Sequence, residues 1–225
     1  MSEPKALIRP DRGQDAIAIH LVNKDGFEAF AKGLNAGQRA SLAAQKFDGS
    51  GYQYAIIPDG DTWFVVSGVA NPESLSSWCL AKLAEELPEG VYRVATGDPG
   101  PAMFGWVTGQ YRFSRYKSEE KGQGPRVLLT GQVGQIDGYL AEAKAECMVR
   151  DLVNAPPEDM GPAALEAECE KLAKAHKAEL TVVRGDALEH GYPMVHAVGR
   201  AAARHHAPRL SLLGRLSRPV RGRRL

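Results

Sequence analysis

Short runs of apolar and β-branched residues alternate along this chain with segments whose apolar residues recur every three or four positions. The run AIAIHLV at 16–22 is typical of a buried strand, and two short helices with a break at 34–37 are predicted between Phe27 and Phe47. Strands that alternate with helices predict an α/β architecture. Two more strands, 52–58 and 62–69, flank Asp59-Gly60-Asp61 as in a hairpin, and the other predicted strands are 91–96, 127–130, 180–183 and 194–199.

Helical periodicity predicts the remaining elements. One helix is expected from Pro72 to Leu87, before Pro88 stops it, and another within 101–117. The longest helix should run from 136 to 153, because Pro156-Pro157 follows it. A further helix is expected to start at Pro162, and a short one at 187–191. Each long helix has one apolar face. The residues of these faces are Leu75, Trp78, Cys79, Leu83 and Leu87 in the first helix, Ile136, Leu140, Ala143, Cys147 and Leu152 in the longest, and Leu165, Cys169, Leu172 and His176 in the helix that starts at Pro162.

These elements predict an N-terminal mixed-sheet α/β domain at 1–135, a connecting helix at 136–153, and an incomplete second α/β unit that extends to 210. Strands 180–183 and 194–199 are expected to be neighbours, with apolar edge surface exposed. Residues 211–225 differ in composition, since they contain five arginines and no acidic residue, whereas the whole chain has a net charge of +1. Arginines that repel one another, among few large apolar residues, predict a disordered basic tail.

Three stretches of the chain carry a more specific pattern. GWVTGQYRFSRYK (105–117) resembles the helix near the end of the N-terminal domain of leucyl aminopeptidases. VRDLVNAPPEDMGPAALEAE (149–168) resembles the segment that opens their catalytic domain, and HAVGRAAARHHAPRL (196–210) resembles the next landmark. The resemblance implies a cytoplasmic, homo-hexameric metallopeptidase that removes N-terminal residues from peptides with the help of two divalent metals, zinc or manganese.

The same resemblance implies that this chain lacks the catalytic machinery. Family members continue into a Gly-rich segment with lysine and aspartate, and later into an Asn-Thr-Asp-Ala-Glu-Gly-Arg segment, which supply the metal ligands and the catalytic lysine and arginine. Neither segment occurs here. We therefore assign no catalytic, cofactor-binding or metal-binding residue, and expect no activity, no cofactor and no normal hexamer. Residues from Ser211 onward are expected to be foreign to the family, as after a frame shift or a premature end.

Other chemically suggestive residues have simpler interpretations. The three cysteines lack zinc-ligand spacing and suggest no disulfide framework, which favours buried thiols in a reducing cytoplasm. His205-His206 is expected to be a solvated loop pair, and the other histidines considered are expected to be packed or, for His176, capping. Gly122-Gln123-Gly124 and the segment 131–134 are expected to be turns, because neither completes a phosphate-loop motif. These cysteines and histidines are Cys79, Cys147, Cys169, His20, His176 and His196.

Two alternative functions remain open from the sequence. The N-terminal α/β domain alone could serve as a non-catalytic binding or interaction module, although no binding residues can be named. The arginine-rich tail could bind nucleic acid through phosphate contacts, but it has no aromatic partners, and we do not expect this function. No apolar run is long enough to cross a membrane, and the polar N-terminus has no apolar signal segment.

Overall fold

The computed structural model describes residues 7–117 and 124–199, together with the backbone of 213–217. The chain divides into two compact units, residues 1–149 and 150–225. Among the described helices, none is long and apolar enough to cross a membrane.

The first unit is built on one mixed sheet whose strands follow the order β1-β6-β5-β2-β4-β3. All neighbouring strands are parallel except β3, which pairs with β4 in the predicted hairpin. Gly60 forms the turn with a φ of +60°, which is the left-handed region that glycine adopts at no steric cost. The strands are β1 (Ile8–Pro10), β2 (Ile17–Val22), β3 (Tyr54–Asp59), β4 (Thr62–Gly68), β5 (Gly90–Val94) and β6 (Arg126–Thr130).

Helices cover the sheet on two faces, because alternate residues of each strand point to opposite sides. Ile19 and Val65 belong to a core that also contains residues of α3, α4 and α5, whereas Val22 and Val66 pack in a second cluster with residues of α1 and α2. The helices are α1 (Lys24–Lys32), α2 (Ala36–Ala44), α3 (Ala81–Glu86), α4 (Ala102–Gly109) and α5 (Ile136–Asn154).

The break between α1 and α2 results from a capping box at the start of α2. The Asn35 side chain accepts a hydrogen bond from the Gln38 backbone N–H, and the Gln38 side chain accepts one from the Asn35 N–H. This reciprocal pair satisfies amide groups that a helix start leaves without partners. It explains why the predicted break falls at 34–37.

The prediction of a helix that starts at Pro72 is wrong for residues 72–80. Residues 72–80 form turns, and α3 begins only at Ala81. The Asn71 side chain accepts a hydrogen bond from the Glu73 N–H, and the Cys79 sulfur accepts one from the Ser76 N–H. These local bonds satisfy the backbone without a helix. The helix predicted within 101–117 is likewise shorter, because α4 ends at Gly109.

The second unit contains α6 (Pro162–His176), β7 (Glu179–Val183), α7 (Gly185–Gly191), α8 (Pro193–Gly199) and β8 (Leu213–Ser217). The strand predicted at 194–199 is wrong, because these residues form α8. Pro193 suits the first turn of a helix, and the His196 N–H donates to the Tyr192 carbonyl at 3.1 Å. Periodicity cannot distinguish a strand from a helix in so short an apolar run.

The partner of β7 therefore also differs from the expectation. Strand β8 pairs with β7 in antiparallel fashion, with Leu180 opposite Leu216. The prediction of a disordered tail does not hold for residues 213–217, while 211–212 and 218–225 lie outside the described residues. In α6 the predicted buried stripe is wrong as well, since Leu165 and His176 are exposed and the buried residues are Glu166 and Ala173.

Candidate functional site

The carboxyl ends of parallel strands are the usual ligand-binding edge of an α/β sheet. At this edge of the first unit, Asp11 follows β1 and Arg93 lies near the end of β5. The Arg93 Nε donates to Asp11 Oδ2 at 2.5 Å, and its Nη2 donates to Asp11 Oδ1 at 3.0 Å and to the Gln14 carbonyl at 2.7 Å. The hydrogen bond from Arg93 lowers the pKa of Asp11 below its ordinary value. The two charges are thus bound to each other and tie the ends of two strands.

The loops after β5 and β6 form the rest of this edge. Gly97 and Gly100 have φ values of +80° and +47°, so the chain turns sharply before α4. The Gln132 Oε1 atom is buried and has no hydrogen-bond partner among the described residues. A Cβ atom at Gly131 would lie 3.3 Å from Asp98 Oδ1, which shows how closely the two loops approach. One buried amide oxygen does not define a class of ligand.

The stretch 105–117, which carried the resemblance to leucyl aminopeptidases, holds the first unit together. Trp106 is fully buried, and its Nε1 donates to the Arg126 carbonyl at 2.9 Å. A Cβ atom at Gly105 would lie 2.1 Å from the Ser77 carbonyl oxygen, and one at Gly109 would lie 2.3 Å from the Ala81 carbonyl oxygen. The two glycines therefore let α4 pack directly against the backbone of the α3 region. This role is structural.

Arg126 is a buried cation whose side chain binds backbone carbonyl groups near the end of α3. Its Nε donates to the Leu87 carbonyl at 2.6 Å, and its Nη2 donates to the Glu85 carbonyl at 3.4 Å, beside the end of α3. Carbonyl groups at a helix end lack partners within the helix, and a cation is favourable there. Burial is the main cause that lowers the pKa of Arg126, and the charge of Arg112 adds to it.

The segment 149–168 lies at the end of α5, in the proline-containing link and in α6. The Glu166 carboxylate is buried and forms an ion pair with Arg184, which is the residue before α7. Glu166 was not identified from the sequence, because acidic residues are seldom fully buried and the apolar pattern pointed to a different face of the helix. Of the stretch 196–210, only the part to 199 is described.

The structure bears out the predicted packing for some of the histidines and cysteines and not for others. His20 lies on β2 between the rings of Phe30 and Phe64, as predicted, but His196 is helical and His176 is exposed rather than packed. Cys147 is buried on α5, whereas Cys79 and Cys169 are only partly buried, and Cys79 precedes α3 rather than lying in a helix. His205-His206 and residues 122–123 lie outside the described residues.

Within residues 7–117 and 124–199, no three His, Cys, Asp or Glu side chains form a group that could hold a metal ion. The turn predicted at 131–134 is only partly correct, because the chain bends at Gly131 but residues 133 and 134 already belong to a short 3₁₀-helix at Val133–Gln135.

Comparison with protein families gives two adjacent matches. The model described as "M17 aminopeptidase, N-terminal domain" matches residues 17–129, and the model described as "Cytosol aminopeptidase family, catalytic domain" matches residues 147–215. The second match extends past Leu210, where we expected the family resemblance to stop. Family-like sequence therefore continues to residue 215, within β8.

Curated relatives are consistent with these matches. A "Probable cytosol aminopeptidase" of Leifsonia xyli is 28% identical over 205 residues, which cover 83% of this chain and 41% of the relative. One of Roseiflexus castenholzii is 28% identical over 182 residues, covering 73% of this chain and 36% of the relative. The chain thus spans about two fifths of the length of these relatives.

Solved structures share the fold. The cytosol aminopeptidase from Coxiella burnetii superposes with a TM-score of 0.67 at 23% identity, covering 86% of this chain and 43% of that one. A bottromycin maturation enzyme in complex with Mn gives a TM-score of 0.58 at 20% identity, covering 83% and 42%. At these identities the likeness concerns the fold alone.

Proposed function

Because this chain belongs to the M17, or cytosol aminopeptidase, family, we propose that it supplies the N-terminal domain and the beginning of the catalytic domain of a metallo-aminopeptidase. The observation that carries the proposal is the pair of family matches, which follow each other in one chain and are separated only by residues 130–146. The relatives above are named as aminopeptidases, which gives no support to a non-catalytic binding module.

The proposed reaction is hydrolysis of the first peptide bond of a peptide that has a free α-amino group. A centre of two divalent metals, zinc or manganese, would supply Lewis-acid chemistry for such a reaction. The described residues do not fit a metal centre of that kind, because no three potential ligands come together among them. We therefore assign the described residues no catalytic step. Their proposed role is to form the N-terminal domain and to support the first elements of the peptidase domain.

The proposal extends to partners and compartment. Peptides would be the substrates, and the cytoplasm would be the compartment, as the name of the relatives suggests. Assembly into a homo-hexamer is proposed only for a protein with a complete catalytic domain.

The test compares the chain alone with a fusion. The chain should not hydrolyse leucine p-nitroanilide in the presence of Mn²⁺ or Zn²⁺. A fusion of residues 1–215 to the remaining part of the Leifsonia xyli relative should hydrolyse it, and should leave an N-acetylated leucine substrate intact. A folded fusion that binds metal but hydrolyses neither substrate would contradict the proposed function, as would metal-dependent activity of the chain alone.

A further inference from the structure

The chain contains four aspartates that are directly followed by glycine, and all four lie among the described residues. In such a pair the backbone nitrogen of the glycine can attack the carboxyl carbon of the aspartate side chain. Glycine favours this attack, because it has no side chain to hinder the approach of its nitrogen. The four pairs are Asp25-Gly26, Asp48-Gly49, Asp59-Gly60 and Asp137-Gly138. Their surroundings in the fold differ, and the surroundings decide which pair can react.

Two of the pairs lie in the first turn of a helix, where the backbone is fixed. In α1 the Gly26 N–H donates to Asn23 Oδ1 at 2.8 Å, so the attacking nitrogen is held in the helix cap. In α5 the pair Asp137-Gly138 follows the buried Ile136 and belongs to a helix of 19 residues. Helical dihedral angles hold the side-chain carboxyl out of line with the next backbone nitrogen. Attack at either pair therefore requires that the start of the helix unfolds.

The pair Asp48-Gly49 is restrained by hydrogen bonds and packing. Asp48 Oδ1 accepts from the Ser50 N–H at 2.9 Å, and hydrogen bonds from the side chain and backbone of Ser50 lower the pKa of Asp48. The reactive form is the protonated carboxyl, because its hydroxyl group must leave as water, so a lowered pKa slows the reaction. Gly49 is buried, and an added Cβ atom would lie 2.9 Å from the Asn23 carbonyl oxygen. The backbone here has little room to rearrange into a ring.

The pair Asp59-Gly60 lies at the tip of the hairpin between β3 and β4, and both residues are exposed. The Gly60 N–H donates to no described residue, and an added Cβ atom at Gly60 would meet nothing within 4 Å. The Asp59 carboxylate accepts a hydrogen bond from the exposed Gln38 Nε2 at 3.1 Å. Asp59 pairs with Thr62 at the end of an edge strand, so opening of this terminal pair is enough to free its backbone. This pair therefore has the freedom for attack that the other three lack.

We propose that Asp59 is a site of spontaneous isomerisation to isoaspartate in the folded protein. The Gly60 nitrogen attacks the Asp59 Cγ atom and loses its proton, the carboxyl hydroxyl leaves as water, and a succinimide ring forms. Water then adds to the ring carbonyl that came from the Asp59 main chain, and the bond from this carbon to the Gly60 nitrogen breaks. One water is released and one is taken up, so the net reaction changes neither mass nor oxidation state.

Isomerisation changes the end of β3. The chain then continues through the former side chain of Asp59, which adds a methylene group to the backbone and leaves the original main-chain carboxyl free. The pair of Asp59 and Thr62, which closes the hairpin, cannot keep its register with this extra atom. The free carboxylate is the group that protein isoaspartyl methyltransferases esterify, so the modified protein would be a substrate for that class of enzyme.

The experiment incubates the full chain in neutral buffer for several weeks, digests it, and quantifies isoaspartate at each of the four sites by mass spectrometry with fragmentation that distinguishes the isomers. Isoaspartate should accumulate at residue 59 at least several-fold faster than at residues 25, 48 and 137. In urea the unfolded chain should lose this selectivity, because the four sites then share the same Asp-Gly chemistry. Esterification by an isoaspartyl methyltransferase with labelled S-adenosylmethionine is the second measurement.

Matched variants test the assignment to Asp59. Asp59→Glu should abolish most of the methyl incorporation, because a glutamate side chain has to form a larger ring, which closes more slowly. Asp25→Glu, which removes another Asp-Gly pair by the same change, should leave the incorporation close to that of the wild-type protein. Equal rates at the four sites of the folded chain, a faster rate at another site, or no isoaspartate at residue 59 would overturn the proposal.

Discussion

The side chain of Gln45 forms two hydrogen bonds with the backbone of Ile56. Its Nε2 donates to the Ile56 carbonyl at 2.8 Å, and its Oε1 accepts from the Ile56 N–H at 3.1 Å. Ile56 lies in β3, which is one of the two edge strands of the sheet. Two residues further along, Pro58 has no N–H to offer. Together the glutamine and the proline reduce the capacity of this edge to pair with another strand.

Replacing Gln45 by alanine should therefore leave the backbone N–H and carbonyl of Ile56 free at the edge of β3. We expect a loss of about 1 kcal/mol in the free energy of unfolding, because a typical hydrogen bond contributes about that much and Gln45 is exposed. We also expect faster concentration-dependent aggregation, measured by light scattering. Gln135→Ala, at another exposed glutamine, is the control. Equal aggregation rates for the two variants would show that Gln45 does not protect the edge.

Gly105→Ala should destabilise the first unit although alanine is the better helix former. A Cβ atom would lie 2.1 Å from the Ser77 carbonyl oxygen, so α4 must move away from the backbone it packs on. Overpacking of this kind costs about 1–3 kcal/mol, which exceeds the gain of up to about 1 kcal/mol from helix propensity. Gly134→Ala is the control, because nothing lies within 4 Å of the added atom. Thermal unfolding should give a lower Tm for Gly105→Ala than for the wild-type protein, and little change for Gly134→Ala. An unchanged Tm for Gly105→Ala would refute the packing argument.

His20 should make the stability of the protein depend on pH. Burial between aromatic rings lowers the pKa of His20 below its ordinary value of 6.5. Between the lowered pKa and 6.5 the unfolded chain binds more protons than the folded chain, so the free energy of unfolding falls as pH falls through this window. His20→Phe keeps an aromatic ring there but cannot titrate.

The measurement is urea unfolding between pH 7 and pH 5. The wild-type protein should lose more stability over this range than the His20→Phe variant. His176→Gln, at an exposed histidine, serves as the control substitution. Identical slopes for the wild-type protein and His20→Phe would mean that His20 does not titrate differently in the folded state.

The ion pair between Glu166 and Arg184 should respond asymmetrically to mutation. Arg184 is half exposed and Glu166 is buried, so Arg184→Ala leaves a buried carboxylate without its cation, whereas Glu166→Ala leaves an arginine that water can solvate. We expect Arg184→Ala to cost about 1–2 kcal/mol more than Glu166→Ala. Glu170→Ala, at an exposed acid of the same helix, should have little effect.

A double-mutant cycle checks this explanation by chemical denaturation. Adding Glu166→Ala to the Arg184→Ala variant should restore part of the lost stability, because the unpaired charge is then removed. If the two substitutions were simply additive, the pair would not be coupled.

Local chemistry was sufficient to predict much of the first unit. The hairpin follows from two β-rich runs around Gly60, and the break between α1 and α2 follows from the capping residues Asn35 and Gln38. The long helix α5 follows from a periodic apolar stripe, of which Ile136, Leu140, Ala143 and Cys147 are buried and Leu152 is half-buried. The family resemblance was also visible in the sequence, because it rests on short contiguous stretches.

Tertiary structure decided what such patterns leave open. Residues 72–80 carry helical periodicity but form turns, and 194–199 form a helix where a strand was predicted, because short apolar segments satisfy either period. The order of strands in the sheet, the burial of Glu166 beside Arg184, and the pairing of Gln45 with Ile56 join residues distant in sequence. Only the folded chain fixes such contacts, because their free energy depends on which surfaces lose water together and not on any local sequence pattern.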